Sequence, residues 1–471
     1  MTAISKEKIS VVALVLLITG AIDSIRNLPG TALFGSQLIF FLILSALVFL
    51  IPVALVAAEL ASTWSEEEGG IYSWVMHAFG PKTAFVTLWL QWINTMVWFP
   101  SMLSFIAGTS AYLINPNLVN NKIYFISIIL GVFWFLTLLA LTGIRASSRF
   151  AGICALFGLL LPMGFIIGLA LLWVFQGHPI AIDLSVPNLL PQFKNTQSWV
   201  SLTAIMTSFL GMELAAVHVR NIDNPQKNFP KAMLFSVILI LVTVILGSLA
   251  IAFVLPQNKI NLVGGVMEAF TSFLNAYQLS YLMPVLVILL LIGSVGSMVN
   301  WIIAPAKGLL LASSNGFLPQ ALYKLNRFGM PSRVLLIQAT LVTLLCTGFL
   351  LLPSINAIYW LFTDLSTELY ILMYVLMFIA ALKLKTKFPN LPRPFAIPGK
   401  KLGYWIVCLL GLLGCTVTLV IGFIPPSDSI DVGGVARFQL IFSTGLFIMI
   451  IPAFILCLKQ KYWQKKETTE R

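Results

Sequence analysis

Apolar runs of about twenty residues recur along the whole chain, and they constrain its fold more than any other feature. Of the 471 residues, 59% are apolar and only 9% are charged. A soluble domain is about one quarter charged, so a soluble protein of this composition would have almost no polar surface. A helix of ~20 apolar residues is long enough to cross a bilayer. The sequence therefore predicts an all-α, polytopic membrane protein.

Twelve membrane-spanning helices are predicted, because clusters of Pro, Gly, Asn and charged residues separate twelve apolar runs. We number these helices as spans 1–12. Their predicted boundaries are 9–28, 37–62, 82–114, 123–143, 148–176, 197–219, 232–256, 277–312, 333–353, 357–384, 402–424 and 437–459. The segments between the spans are too short for a soluble domain, so the chain is predicted to be a single membrane domain.

The distribution of basic residues predicts the orientation of the spans. If the N-terminus is cytoplasmic, all but five of the 28 Lys and Arg residues fall in cytoplasmic loops or tails. The exceptions are Lys122, Lys194, Lys259 and Arg437 in outside loops and Arg26 within span 1. Cytoplasmic loops of membrane proteins are enriched in Lys and Arg. Both termini are therefore predicted to be cytoplasmic, and the net charge of +12 reflects topology rather than a nucleic-acid partner.

The reactive side chains do not have the pattern of a metal site or of an embedded enzyme. The five cysteines all lie inside apolar runs without metal-ligand spacing, which is typical of buried structural thiols. The three histidines are scattered over different regions. No metal and no cofactor are therefore expected, and a membrane-embedded enzyme is disfavoured.

Two spans are interrupted by polar residues and glycine. Span 1 contains the sequence ITGAIDSIRNLPG at Ile18–Gly30, and span 6 contains SFLGMELAAVH at Ser208–His218. Ionisable groups and helix breakers in lipid are costly unless they line a cavity. Interrupted helices in corresponding positions of two halves indicate a transporter built from inverted repeats. The alternative is a packing glycine beside a satisfied buried acid.

Span 10 carries two acids, Asp364 and Glu368, that are four residues apart and therefore share one helix face. Such acids are expected to face a water-filled path or a cationic partner rather than lipid. Alternatively, Asp364 lies near the helix mouth and is solvated.

Several segments resemble the amino acid–polyamine–organocation superfamily of transporters. They are EEEGGIYSW at Glu66–Trp74, NIDNPQKNFPKAM at Asn221–Met233 and APAKG at Ala304–Gly308. Two further runs, at Phe40–Leu60 and Ser208–Val219, are most similar to the bacterial glutamate:γ-aminobutyrate antiporters. Their order along one chain is more specific than any one of them.

This resemblance implies a LeuT-like fold of five helices plus five inverted helices, with two helices appended. The inverted repeats would be about 9–176 and 197–384, and spans 11 and 12 about 402–459. It implies alternating access around a site between spans 1, 3, 6, 8 and 10, with unwound backbone at Gly20–Ser24 and Ser208–Leu214. Glu213 matches an acid that the superfamily uses in proton sensing or gating.

The candidate site residues follow from the interrupted spans together with the resemblance. The candidate substrate-binding residues are Gly20, Ala21, Ile22, Asp23, Ser24, Trp92, Ser208, Phe209, Gly211, Ser297 and Trp301. The candidate gating or coupling residues are Arg26, Glu213, Asp364 and Glu368. In transporters of similar architecture, a basic residue of the first helix and an acid of the tenth often close the outer path. Arg26 is therefore expected to pair with Asp364 or to bind the substrate carboxylate.

Two departures from the resembled branch leave the substrate open. Gly152 stands where proton-coupled relatives tend to have lysine, and Ser297 where the glutamate antiporter branch has an acid. The expected function is secondary active transport of amino acids, by antiport or proton-coupled symport, in a bacterial inner membrane. The alternatives are exchange of amines, polyamines or basic amino acids, and a transporter-like sensor without flux. The expected partners are a small substrate, the bilayer and protons; the oligomeric state stays open.

Overall fold

The computed structural model describes residues 9–67, 69–143, 153–154, 156–191, 202–311, 316–322, 324–351, 354–424 and 434–469. Within these ranges every regular element is a helix, apart from one isolated parallel bridge between Ile9 and Ile222. The prediction of an all-α chain is confirmed. The bridge links the chain just before helix Val11–Ile22 to the residue that follows the 3₁₀ segment Met212–Asn221.

The described ranges contain ten helices that are long and apolar enough to cross a membrane, and two shorter apolar helices that complete a set of twelve. The ten are Val11–Ala32, Gly35–Thr63, Pro81–Ile114, Lys122–Leu141, Leu156–Phe175, Pro225–Val254, Ser280–Leu310, Ile355–Lys387, Lys400–Ile421 and Val435–Gln460. The shorter pair, Leu202–Ala216 and Ser332–Cys346, correspond to spans 6 and 9. The predicted ends at 148–152, 197–201, 312 and 352–353 lie outside the described residues.

Two unpredicted helices of nine or more residues occupy described loops between spans. Ile71–Phe79 follows span 2 and has 9 residues, and Gly265–Ala276 follows span 7 and has 12. Both are too short to cross a bilayer. Each buries one apolar face, through Trp74 in the first and Phe270 in the second. The prediction of spans from long apolar runs misses such short amphipathic helices.

Spans 3 and 10 form the centre of the helix assembly. In the most apolar window of each, 72% of the residues are buried by protein, compared with 17% in span 12. The two central spans pack against each other, and the Ser366 hydroxyl donates a hydrogen bond to the Asn94 side chain between them. This central position explains why polar side chains are tolerated on spans 3 and 10, since neighbouring spans can satisfy them.

Two glycines allow spans 5 and 8 to approach closely. A Cβ atom added to Gly293 would lie 2.3 Å from the Cα atom of Gly158. No side chain larger than hydrogen fits at this crossing without a shift of backbone. Close backbone approach through small residues is a common way for helices to pack in lipid.

A buried carboxylate, Glu59, joins three segments at the predicted cytoplasmic side. It lies on span 2 and is fully buried. One carboxylate oxygen accepts hydrogen bonds from Lys385 Nζ at 2.9 Å and Arg393 Nη1 at 2.6 Å. The other accepts from the Ile397 backbone N–H at 2.8 Å. Both basic groups also lie over the ring of Tyr404 in span 11. Glu59 therefore ties span 2 to the end of span 10 and to the connection that leads into span 11.

We predict that Glu59→Gln lowers the thermal unfolding midpoint of the detergent-solubilised chain. The substitution keeps an acceptor oxygen but leaves Lys385 and Arg393 without a buried counter-charge, and breaking such a pair typically costs ~3–5 kcal/mol. Glu66→Gln, which removes an exposed carboxylate from the following loop, is the control and should leave the midpoint unchanged. Equal midpoints for the two variants would contradict this role of Glu59.

Candidate functional site

The interruption of span 1 is centred on two residues. The first helical half, Val11–Ile22, ends where Asp23 and Ser24 adopt extended backbone conformations. The chain then forms a 3₁₀ turn at Ile25–Asn27 and a second helical segment at Leu28–Ala32. The predicted unwound region is therefore corrected at its start, because Gly20, Ala21 and Ile22 are still helical. Only Asp23 and Ser24 leave the regular helix.

The interruption of span 6 lies where the sequence predicts it. Helix Leu202–Thr207 is followed by a turn, and a 3₁₀ segment continues from Met212 to Asn221. Gly211 joins the two halves with a φ of +110°, which side chains strongly disfavour and glycine accepts. Ser208 lies in the turn and its hydroxyl donates to the Ala204 carbonyl at 3.2 Å. Phe209, also in the turn, is fully buried.

Glu213 lies directly after this turn and faces the protein interior, with 1% of its surface exposed. Tyr370 donates a hydrogen bond to one carboxylate oxygen at 2.7 Å, and Tyr374 donates to the other. The Tyr374 oxygen in turn accepts the Gly211 backbone N–H at 2.8 Å. Two tyrosines of span 10 thus bind both the acid and the backbone of the interrupted span.

These tyrosines were not predicted as site residues. Their spacing of four residues places them on one face of span 10, but a tyrosine pair in an apolar helix is common and indicates no partner by itself. The Tyr370 hydroxyl also interacts with Gln91 of span 3. The cluster of Glu213, Tyr370, Tyr374 and Gln91 therefore joins spans 3, 6 and 10.

Asp23 is directed toward span 7. One carboxylate oxygen accepts a hydrogen bond from the Thr243 hydroxyl at 2.7 Å. The other is buried and has no hydrogen-bond partner among the described residues. Thr243 was not predicted as part of the site, because an isolated threonine in an apolar helix carries no signal of its partner.

Arg26 is buried and is held by hydroxyl groups and aromatic rings. Its Nη1 donates to Ser101 Oγ at 2.9 Å and lies 3.5 Å from the Tyr359 hydroxyl. The guanidinium carbon is 5.6 Å from the Trp98 ring centre, within the range of a cation–π contact. Trp301 packs against Trp98 with ring centres 5.2 Å apart. Arg26 thus connects spans 1, 3 and 10, and span 8 packs against its partner Trp98.

The predicted ion pair between Arg26 and the acids of span 10 is absent from this structure. Neither Asp364 nor Glu368 has an oxygen within 4.0 Å of the guanidinium among the described contacts. Asp364 instead lies beside Thr203 of span 6. Glu368 lies beside span 11, since a Cβ atom on Gly422 would be 2.0 Å from its Oε1. A gating role for the three charged residues stays a prediction.

The remaining residues that the sequence analysis singled out lie in different places. Trp301 belongs to the Arg26 surroundings, as described above. The Trp92 indole N–H donates to Gln338 of span 9 at 2.8 Å. Gly152 and the Ser297 side chain lie outside the described residues.

Comparison with known proteins gives matches over almost the entire chain. The profile of the amino acid permease family matches residues 9–458. An uncharacterised transporter of Legionella pneumophila is 41% identical over 97% of this chain and 97% of its own length. A glutamate/γ-aminobutyrate antiporter of Lactococcus lactis is 30% identical, over 96% of this chain and 90% of its own length. A probable agmatine/putrescine antiporter of the same species is 24% identical, over 89% of each chain.

Proposed function

Because the chain belongs to the amino acid permease family, we propose that it is a secondary active transporter that moves amino acids by alternating access. In this proposal it works as an antiporter or a proton-coupled symporter in a bacterial inner membrane, with both termini cytoplasmic. Repeats 9–176 and 197–384 form the moving core, and the helices at 402–459 are appended to it. The chain is proposed to be a transporter and not an enzyme.

The buried cation Arg26 is the observation that carries the choice of substrate. Hydroxyl groups of Ser101 and Tyr359 accept its hydrogen bonds but do not neutralise its charge. Burying a charge without an opposite charge is costly. No carboxylate of the described residues lies within ion-pair distance of it. A substrate carboxylate beside Arg26 would supply the missing charge, which favours an amino acid over a simple amine.

The substrate ammonium is proposed to bind the backbone carbonyls of the span 6 turn at 208–211. Carbonyl oxygens in an interrupted helix are suitable acceptors for a cation near the midplane. Asp23 is a weaker candidate for this role because its carboxylate is directed to Thr243 of span 7. Ser24 lies beside it in the span 1 interruption, where the backbone leaves the helix.

Glu213 is proposed to couple proton binding to the conformational change. Its hydrogen bonds connect the turn of span 6 with span 10, through Tyr370 and Tyr374. A carboxylate accepts hydrogen bonds from both hydroxyls, whereas a protonated acid has a donor of its own. A change in protonation would therefore rearrange this cluster and alter how firmly the two spans are joined.

A second candidate function is the exchange of amines. The unpartnered oxygen of Asp23 is a possible ligand for an ammonium group, and one relative is named as a probable agmatine/putrescine antiporter. An amine has no carboxylate to place beside Arg26. The charge of the transported substrate therefore distinguishes the two candidates. If no substrate is transported at all, the chain would instead be a transporter-like sensor.

The proposal is tested by uptake of labelled amino acids, γ-aminobutyrate, putrescine and agmatine into proteoliposomes, with and without a pH gradient. We expect saturable uptake of at least one carboxylate-bearing substrate, stimulated by internal substrate or by the proton gradient. Arg26→Gln should raise the half-saturation concentration of that substrate by roughly 10- to 100-fold, since a hydrogen bond to a charged group contributes about 1.5–3 kcal/mol.

Lys259→Gln, which removes an exposed basic group from an outside loop, is the matched control and should transport like the wild type. Uptake restricted to amines would contradict the assignment of substrate. Restoration of an Arg26→Asp variant by Asp364→Arg would instead show that Arg26 is a gate residue.

Glu213→Gln should weaken the dependence of exchange on pH in the same proteoliposomes. The glutamine side chain retains hydrogen-bonding capacity toward the two tyrosines but cannot gain or lose a proton in this range. The measurement is the initial rate of exchange between about pH 5 and 8, compared with Glu66→Gln as an exposed control. An unchanged rate and pH profile would mean that Glu213 has only a structural role.

A further inference from the structure

An apolar cavity of about 300 Å³ lies away from the two interruptions. Its wall exposes no polar atoms and is formed by spans 3, 8, 9 and 12 together with the loop after span 8. The lining residues include Trp89, Trp92, Leu309, Val334, Ile337 and Leu456. A zwitterionic substrate would find no polar partner on this wall, so the cavity is not a second site for the transported molecule.

The two tryptophans leave their ring faces to the cavity because their N–H groups are bound elsewhere. The Trp89 indole donates to the Met449 carbonyl of span 12 at 2.8 Å. The Trp92 indole donates to Gln338, whose amide donates to the Ile302 carbonyl of span 8 at 3.2 Å. These hydrogen bonds connect the spans that form the cavity wall. Because they satisfy the indole N–H groups of both tryptophans, the wall stays apolar.

The cavity opens toward the hydrocarbon part of the bilayer. Two of its lining side chains, Ile337 on span 9 and Ile455 on span 12, are 40% and 44% exposed. Leu458, one turn further along span 12, is 83% exposed. In a bilayer, exposed apolar side chains of this kind contact acyl chains, so a lipid chain can enter the cavity from the side.

Basic residues lie next to the cavity lining along the chain, at the predicted cytoplasmic end of the cavity, and Arg333 Nη1 donates to the Ala321 carbonyl at 2.8 Å. Arg333 directly precedes the lining residue Val334, and Lys459 follows Leu456 by three positions. The Lys82 carbonyl lies 3.8 Å from the sulfur of Cys457, which places the start of span 3 beside the end of span 12. The segments 79–92, 316–338 and 434–460 contain no Asp or Glu. The rim is therefore suited to an anionic group.

We propose that this cavity binds an anionic phospholipid of the cytoplasmic leaflet. One acyl chain occupies the apolar cavity, and the phosphate lies among Lys82, Arg333 and Lys459. Burial of methylene groups favours the chain, and basic residues near an anionic membrane surface favour the headgroup. Such a lipid would contact spans 3, 8, 9 and 12 at once. Its binding would therefore influence how these spans pack around the candidate site.

The test is retention of lipid by the purified full-length chain, measured by native mass spectrometry after exchange into phosphatidylglycerol or phosphatidylcholine. We expect one phosphatidylglycerol to be retained about tenfold more strongly than phosphatidylcholine. The double substitution of Lys82→Gln and Lys459→Gln should abolish this preference. The matched double substitution of Lys227→Gln and Lys231→Gln, at exposed cytoplasmic lysines of span 7, should preserve it.

Ile337→Trp should reduce retention of both lipids, because the larger side chain fills the cavity. Equal retention of the two lipids by the wild-type chain would overturn the proposal without reference to any variant. The proposal would also be overturned if the delipidated chain forms a dimer whose interface covers spans 9 and 12 and excludes lipid. Preferential retention of a sterol over phosphatidylglycerol would overturn it as well. Melting curves of each variant establish that a loss of lipid is not a loss of fold.

Discussion

The pairing of backbone polar groups within lipid is the constraint on which the rest of the structure depends. A membrane-spanning helix satisfies its own N–H and C=O groups, so an interruption must be compensated by neighbouring protein. At the span 6 interruption, Tyr374 accepts the Gly211 N–H and donates to Glu213. The interrupted spans therefore require polar partners on the central spans, which explains why spans 3 and 10 carry hydroxyl, amide and acidic side chains.

Two buried charges of the chain, Glu59 and Arg26, have very different surroundings. Glu59, at the predicted cytoplasmic side, has two basic partners and a backbone N–H, and it joins spans that are thereby held together. Arg26, within span 1, has hydroxyl and aromatic partners only, as far as the described part of the chain extends. The first arrangement is complete without a ligand. The surroundings of Arg26 leave its positive charge without an opposite charge, which a substrate carboxylate could supply. This is the physical difference between a structural ion pair and a proposed binding residue.

Much of the fold could be predicted from the sequence because its signals are local. Apolar length identifies the spans, and glycine beside ionisable residues identifies the interruptions at Asp23 and Gly211. The partners of buried groups could not be predicted, because the rotation of one helix about its axis relative to another is set by packing. Thus Arg26 was placed on an interrupted span and Asp364 on a central span, but the two side chains do not pair in this structure. The two tyrosines that bind Glu213 were not predicted. Glu59 lies within the run Phe40–Leu60, which carries part of the family resemblance. Its basic partners, however, are more than 300 positions away in the chain.

The central claim, that the two interruptions surround a site with alternating access, is tested most directly at Ser24. This residue lies in the extended backbone of span 1 and is half-buried. A Ser24→Cys variant, with the five native cysteines replaced, can be labelled with a membrane-impermeant maleimide in right-side-out and inside-out vesicles. We expect labelling from both sides, with a transported substrate shifting the two rates in opposite directions. Labelling from one side only in every condition, or rates from both sides that no transported substrate changes, would contradict the account.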